Sequence, residues 1–501
     1  MNAAFSLSLR MALSGAVLST VLLTGAAPAA AGEPLMFGYT PSRNMVDPVS
    51  KNLPSSFDVD TGMNVKWSEP VGSQSYAGPV IQGNLLLIGT NNEGERDEKI
   101  QGDKGVVMAF EVDSGKFLWQ IVHDKLPEAK LHDWPLQGVC STPIIEGDIA
   151  YYTSNRAEVV AIDLAGLANG NQGMTDETYK DDKKGDILWS LDMMAELDVF
   201  PHNLATSSPL IVGDLVYVST GNGVDEGHIN VPSPFAPSFL AVNKKTGEVA
   251  WENADPGENI LHGTWTNPTY GEIGGVPQVL FPGGDGVLYS FEPKTGKLLW
   301  TFDCNPKDSV WRLGGAGTRN NLIGTPVVYD GLIYIAVGQD PEHGEGPGNF
   351  WVIDATVKPD ENGEIAQDKA VWHRGGEDFN RTISTAAIHD GIVYATDLSG
   401  FLYALDAKTG EHFWTYDAFA AVWGSPFVAD GKIYLGDEDG DIAILKAGKK
   451  MEVLAEANVG SAVYTTPVAH DGVLYVLSRN RLFAFAEGIK GKTDDADQPA
   501  R

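Results

Sequence analysis

Two short stretches concentrate the ligating side chains of this 501-residue chain. QDPEHGEG (residues 339–346) packs three carboxylates and an imidazole into eight positions, and NGVDEGH (residues 222–228) brings Asp225, Glu226 and His228 together. Carboxylates interleaved with glycines, which let backbone carbonyls turn inward, suit a hard cation such as calcium. Asp340, Glu342, Asp225 and Glu226 are the candidate metal ligands on that reading. Neither stretch has EF-hand spacing. A network that ties the two loops to each other would use the same residues, and both readings stand. DEDGD (residues 437–441) has a more metal-like spacing but falls where an ordinary hairpin is expected.

Arginine is scarce, yet Arg312, Arg319, Arg374 and Arg381 fall in the two consecutive loops, residues 301–322 and 373–381, that flank the fifth repeat unit. Guanidinium groups offer planar, bidentate donors, so such a cluster in an acidic protein suggests an anion or carboxylate site. Internal pairing with Asp308, Glu377 and Asp378 is the competing reading. A third constellation is HGTW (residues 262–265), where His262 stands beside Trp265. With His343, these residues complete the set of candidate ligand-binding groups, together with Trp423, which shares its repeat position with Tyr464 and Tyr76. Those three aromatics suit either a stacking platform or packing between neighbouring elements. There is no G-x-S-x-G, H-E-x-x-H, C-x-x-C-H or phosphate-loop motif. Asp340 is the one candidate general base.

The elements that must position these residues are legible as a repeat. Its cleanest copy, TISTAAIHDGIVYATDLSGFLYALDAKTGEHFW, spans residues 382–414. An inner-strand proline recurs at Pro79, Pro143, Pro209, Pro268, Pro326, Pro426 and Pro467, with Ala386 in the remaining slot; a closing tryptophan recurs at Trp67, Trp119, Trp189, Trp251, Trp300, Trp372 and Trp414, with Leu454 in its place in the seventh unit. Asp-Gly and Thr-Gly pairs supply tight hairpins. A unit near 40 residues with four strands is a propeller blade, which cannot bury both faces alone. The eighth unit lacks its last strand, and NVKW (residues 64–67) supplies it from the other end of the chain, closing the ring. The expected fold is therefore all-β: a single eight-bladed propeller of four-stranded antiparallel blades over residues 64–488.

The anchors are spaced 64, 66, 59, 58, 60, 40 and 41 residues apart, so five units carry large insertions. Most fall on the face shared by strand-two-to-three loops and blade-to-blade loops: residues 91–104, 222–237 and 339–348, and 120–138, 190–204, 252–263, 301–322 and 373–381. Seven of ten histidines lie there, His123, His132, His202, His228, His262, His343 and His373. Only residues 164–186 and 356–369 decorate the opposite face, and their polar composition reads as solvated excursion. The position three before each anchor should open onto the central channel: Tyr76, Cys140, Thr206, Trp265, Ile323, Ile383, Trp423 and Tyr464.

Residues 1–31 read as a secretory signal, with Arg10, an apolar stretch to Leu23 and Ala29-Ala30-Ala31; no cysteine follows to take a lipid. Residues 32–63 form an extended segment and 489–501 a polar, disordered tail. No later run reaches the roughly 18 apolar residues of a membrane helix. The expected location is periplasmic or secreted, and the expected state a monomer. A net charge of −32 opposes binding to nucleic acid or anionic membranes. Cys140 and Cys304 belong to repeats far apart in the ring and read as buried thiols.

GFLYALDAKTGEHFW (residues 400–414) and GVLYSFEPKTGKLLW (residues 286–300) resemble the repeat of PQQ-like (pyrroloquinoline quinone-type) propellers, and the resemblance covers residue 64 to about 488. That repeat is shared by quinoprotein dehydrogenases and by non-catalytic relatives, including the scaffold lipoprotein of the outer-membrane β-barrel assembly machinery. The dehydrogenases set their quinone over the channel mouth on a Trp, with calcium, an Asp base, an Arg near the quinone oxygens and often a disulfide between adjacent cysteines. Carried to this chain, the resemblance points to Trp265, Asp340, Glu342 and Arg319, while the adjacent cysteine pair is missing. Two functions follow as expectations. The first is an exported propeller that binds a small molecule, glycan or exported protein on its loop-rich face. The alternative is a PQQ- and calcium-dependent periplasmic oxidoreductase acting on an alcohol or sugar.

Overall fold

The computed structural model describes residues 35–491, except Glu95, Glu128 and Asp182. Residues 1–31, the expected signal sequence, and nearly all of 489–501 lie outside the described residues. Eight antiparallel sheets follow one another around a ring, each ordered from an inner to an outer strand. Blade one is built from Val80–Gln82, Leu85–Asn91, Lys104–Glu111 and Phe117–Asp124. Blade eight takes Val468–His470, Val473–Leu477 and Arg481–Lys490, and its outermost strand is Met63–Pro70 from the start of the chain. Trp67 faces Ala484 and Pro70 faces Arg481 across that closing seam.

Two repeated contacts explain why the sequence keeps its anchors. First, the closing tryptophan of one blade docks on the next. The indole N–H donates to Val112 O from Trp67 (3.0 Å), to Lys244 O from Trp189 (3.2 Å), to Pro293 O from Trp251 (2.7 Å) and to Ala407 O from Trp372 (3.0 Å). The glycine of the receiving strand-three-to-four turn lies flat on the indole. A Cβ on Gly296 (φ +66°) would sit 2.5 Å from Trp251, and one on Gly410 (φ +72°) 2.8 Å from Trp372. Positive φ and ring contact both demand glycine there.

Second, the residue before each anchor proline joins a polar girdle around the channel. Gly78 N–H donates to Thr142 Oγ1 (2.8 Å), Thr142 N–H to Ser208 Oγ (3.0 Å) and Ser208 N–H to Asn267 Oδ1 (2.6 Å). Asn267 continues it with its side-chain amide to Thr325 Oγ1 (2.9 Å), followed by Thr325 to Thr385 (3.2 Å), Thr385 to Ser425 (2.9 Å) and Ser425 to Thr466 (3.1 Å). The inner strands thereby satisfy N–H groups that have no neighbour on the channel side.

The segment before the propeller is a plug rather than a loose extension. Leu35 pairs with Ile145, Pro41 O accepts from Tyr270 N–H, Ser42 O accepts from Val328 N–H, and Asn44 brackets Ile388. Val46–Asp47 adds a parallel strand to blade seven, and Tyr39 hydrogen-bonds Ala469 of blade eight. At its centre Arg43 is fully buried and donates to Pro268 O (2.9 Å), Phe37 O (2.8 Å), Ser208 O (3.0 Å) and Pro209 O (2.9 Å). The ring partners of the plug, from Ser208 and Pro209 to Ile388 and Ala469, fall at or after the girdle positions along each inner strand, so the plug closes the channel end opposite the expanded loops.

Three expectations need correction. Residues 164–186 and 356–369 are largely solvated, as expected, but they are not free of the blades. Each returns to the outer edge of the preceding blade, through Gln120 with Lys183 and Gly185, and through Thr301 with Gly363 and Ile365. They cover strand edges that would otherwise be open. Residues 373–381 are not a loop either: the outer strand of blade five runs Trp372–Asn380. The two cysteines are free, but only Cys304 is buried; Cys140 is half-buried.

Candidate functional site

A cavity of about 350 Å³ occupies the channel axis, and the eight positions three before the anchors all line it, as do the eight girdle positions. Phe37 of the plug is part of its wall, and Pro341 and Glu342 come from the loop-rich end. Tyr76 and Tyr464 stack at 5.2 Å and 8°, and Trp423 lies 4.6 Å from Tyr464. These three, from adjacent blades one, eight and seven, form one aromatic wall. By the eightfold arrangement, blade four with Trp265 and His262 faces it across the axis.

The densest polar constellation stands beside Trp265. His202, His228 and His262 reach one point from three consecutive loops of the same face. His228 Nε2 is 3.3 Å from His202 Nε2 and 3.2 Å from His262 Nε2. His202 Nδ1 donates to Val224 O (2.8 Å), and His262 Nδ1 donates to Asp340 Oδ2 (3.0 Å). Trp265 closes the cluster, its indole N–H donating to His202 O (2.9 Å). His343 hydrogen-bonds the same carboxylate through Nδ1 (3.0 Å) and Gly314 O through Nε2 (2.6 Å). Both of its nitrogens face acceptors, so it needs both protons, and the bond to Asp340 raises its pKa accordingly.

Burial raises the Asp340 pKa, but hydrogen bonds from His262 and His343 outweigh it, leaving the carboxyl well below the usual carboxylate range. Burial pushes His202 down to about 3 and also lowers His228, with neighbouring imidazoles adding to both. Glycines admit the rings: a Cβ on Gly314 would meet His228 Cβ at 2.6 Å and Nδ1 at 2.7 Å.

Of the residues singled out from sequence, His262, Trp265, Asp340, Glu342 and Trp423 line the axial cavity, and His343 reaches it through Asp340. Asp225 and Glu226 do not join them. Asp225 accepts from Ile229 N–H (2.7 Å) and Asn230 Nδ2 (3.0 Å) within its own loop, and Glu226 is exposed. The four arginines do not line the cavity. Arg319 forms a bidentate pair with Asp303 (2.8 and 3.1 Å), Arg374 lies 4.0 Å from Asp378, Arg381 donates to His343 O (3.0 Å), and Arg312 is exposed. Sequence reasoning grouped His202 only with the other loop histidines, and His228 with Asp225 and Glu226. The usable signal was that His202, His228 and His262 occupy three successive loops of one face.

Eight closed blades with this repeat define a family of propellers. The family described as outer membrane protein assembly factor BamB, PQQ_2, matches residues 173–340 and 361–485, more than half of the sequence, and the chain belongs to it. Among curated relatives, the outer membrane protein assembly factor BamB of Yersinia pestis is 24% identical over 347 residues, covering 68% of this chain and 75% of that protein. The quinone alcohol dehydrogenase subunit of Gluconacetobacter polyoxogenes is 26% identical over 332 residues; the match covers 55% of this chain and only 39% of that subunit. The fold is also that of the quinohemoprotein alcohol dehydrogenase of Comamonas testosteroni (TM-score 0.61, 14% identity, 93% of this chain and 82% of that one). It is likewise that of BamB from Moraxella catarrhalis (TM-score 0.54, 17% identity, 85% and 97%). No helix among the described residues is long and apolar enough to cross a membrane.

The quinone cofactor implied by the dehydrogenase branch can be tested against the cavity. PQQ is a planar tricarboxylate and needs cationic or hydrogen-bond donor partners around its rim. Among the described residues no lysine or arginine lines the cavity itself, Arg479 reaches only the Tyr464 hydroxyl at its aromatic edge, and Asp340 and Glu342 put carboxylates on its wall. Arg319, the candidate partner for the quinone oxygens, is held by Asp303 and Asp285 O. The residues present do not fit this cofactor.

Proposed function

We propose that this exported propeller is a binding module whose axial cavity takes a neutral or cationic small molecule with a flat apolar face, a short saccharide or an aromatic or quaternary cation. The observation that carries this reading is the pairing of an aromatic wall with an acidic lip in one cavity. Stacked aromatics favour sugar faces and cations through apolar contact and the ring quadrupole. Glu342 repels anions, and Asp340, its charge offset by His343, adds a carboxylate acceptor. The volume falls within the ordinary range for ligand sites, about 300–1,000 Å³. A panel of neutral saccharides and organic cations, followed by calorimetry on the full chain, tests the reading. A ligand from these classes should lose at least tenfold in affinity in Trp423→Ala and in Trp265→Ala, and nothing in Trp311→Ala. Preference for anionic ligands, or hits insensitive to both cavity substitutions, would overturn it.

One observation favours a second reading, a protein partner on the same face. Ile229, Phe235, Val310 and Trp311 are exposed, Phe235 at 88%, and they sit on the loops of blades three and four. Relatives carry the name of an outer membrane protein assembly factor. Replacing Phe235 and Trp311 by Ser should abolish any protein capture on this face while leaving small-molecule binding unchanged.

A further inference from the structure

We propose that His202, His228 and His262 form a site for a divalent transition-metal ion of the zinc class, with Asp340 as the positioning residue behind one ligand. The inference goes beyond the cavity reading, with which it shares His262 and Asp340. A backbone carbonyl and a carboxylate can only accept, so the protons of His202 and His262 lie on Nδ1, bonded to Val224 O and Asp340. In the neutral rings their Nε2 atoms are bare lone pairs, and both point at His228 Nε2 from 3.3 and 3.2 Å. His228 has at most one proton on that nitrogen. It can satisfy one neighbour and must leave the other lone pair facing a nitrogen without a hydrogen bond.

A metal ion resolves all three at once. With Zn–N bonds of about 2.0–2.1 Å, the edges of a tetrahedron are about 3.3–3.4 Å, close to the two separations observed. The three ligand atoms lie within 4.8 Å of one another. The second partners are those that metal-bound imidazoles use: a carboxylate behind His262 and a carbonyl behind His202 fix tautomer and ring orientation. Neutral imidazoles select zinc, copper or nickel over calcium and magnesium, which take oxygen ligands. Gly314, where a Cβ would overlap His228, and Gly223, where one would meet His202 Cβ at 2.6 Å, keep the rings packed in place. Three protein ligands leave a position for water or for a ligand of the adjoining cavity.

The test uses chelator-stripped full-length protein titrated with Co²⁺ as the spectroscopic probe and Zn²⁺ as the competitor. One Co²⁺ per chain should bind with the visible absorption of a four-coordinate ion. Zn²⁺ should displace it stoichiometrically, and equimolar Ca²⁺ should not. His228→Ala, at a half-buried position that tolerates truncation, should lose at least a hundredfold in affinity, and Asp340→Asn about tenfold to a hundredfold. His412→Ala, on an exposed strand end, should be unchanged. Anomalous diffraction at the zinc edge gives an answer independent of any variant's folding, with one peak expected among the three Nε2 atoms. Sub-stoichiometric uptake, a six-coordinate Co²⁺ spectrum, undiminished binding in His228→Ala, equal loss in His412→Ala or a peak elsewhere would each overturn the proposal.

Discussion

Arg43 holds the plug to the ring, and replacing it with Met should show how much. The guanidinium has no carboxylate partner; its four hydrogen bonds all go to carbonyls. Burial pushes its pKa down to about 9, still far above neutrality, so it is charged. Hydrogen bonds to a charged group contribute about 1.5–3 kcal/mol each, offset by a desolvation cost of about 5 kcal/mol at 1.36 kcal/mol per pKa unit. Methionine removes that cost but leaves the carbonyls without a donor, at about 1–3 kcal/mol each. The net loss should be about 3–5 kcal/mol, in line with breaking other buried charge contacts. With an unfolding entropy of about 2.1 cal/mol/K per residue, a ring of this size has roughly 1 kcal/mol/K. Calorimetry should then show Tm lower by about 3–5 °C if the plug and propeller melt together. If the plug detaches alone, limited proteolysis should cleave near residues 35–58 at a temperature where the wild type resists. A Tm within 1 °C of wild type together with an uncleaved plug would refute the reasoning.

Gly296→Ala should cost about 1–3 kcal/mol in denaturant titration, because the new Cβ meets Trp251 at 2.5 Å and φ is +66°; an unchanged midpoint would remove the docking role of these turns. A chain starting after Ser75 lacks the closing strand Met63–Pro70 and should not give a stable monomer in size-exclusion and thermal melts, whereas one that melts cooperatively like the full chain would contradict closure. Burial raises the Asp285 pKa to about 6. The protonated form is favoured in the fold, so its contribution is full below pH 4 and is lost as pH rises to 6, by up to about 3 kcal/mol. Asp285→Asn, which keeps one oxygen for Val287 N–H and can turn its amide N–H towards the Tyr289 hydroxyl oxygen, should flatten that part of the Tm-against-pH profile.

The ring was legible because its contacts are local and repeated. Anchor prolines, closing tryptophans and Thr-Gly turns each recur at one register, so counting them gives blade number, the seam at Trp67 and the eight cavity positions. The plug was not legible, since Arg43 sits in a single-copy segment whose partners lie up to 430 residues away. Composition gave the solvation of residues 164–186 but not their edge pairing, in which Lys183 O and Gly185 N–H meet Gln120. The arginines misled for a related reason. Sequence placed four guanidiniums in one sector but could not say which way they turn, and Arg319 turns to Asp303. The histidines were all visible, yet only the radial order of the blades brings His202 and His228 onto His262.

The account rests on the axial cavity as a site for a ligand other than the quinone of its dehydrogenase relatives. Equilibrium dialysis of the purified chain against micromolar PQQ with calcium tests that directly. No stoichiometric uptake and no quinone absorbance change are expected, because carboxylates meet carboxylates and no lysine or arginine lines the wall. One PQQ bound per chain, lost in Trp265→Ala, would contradict it.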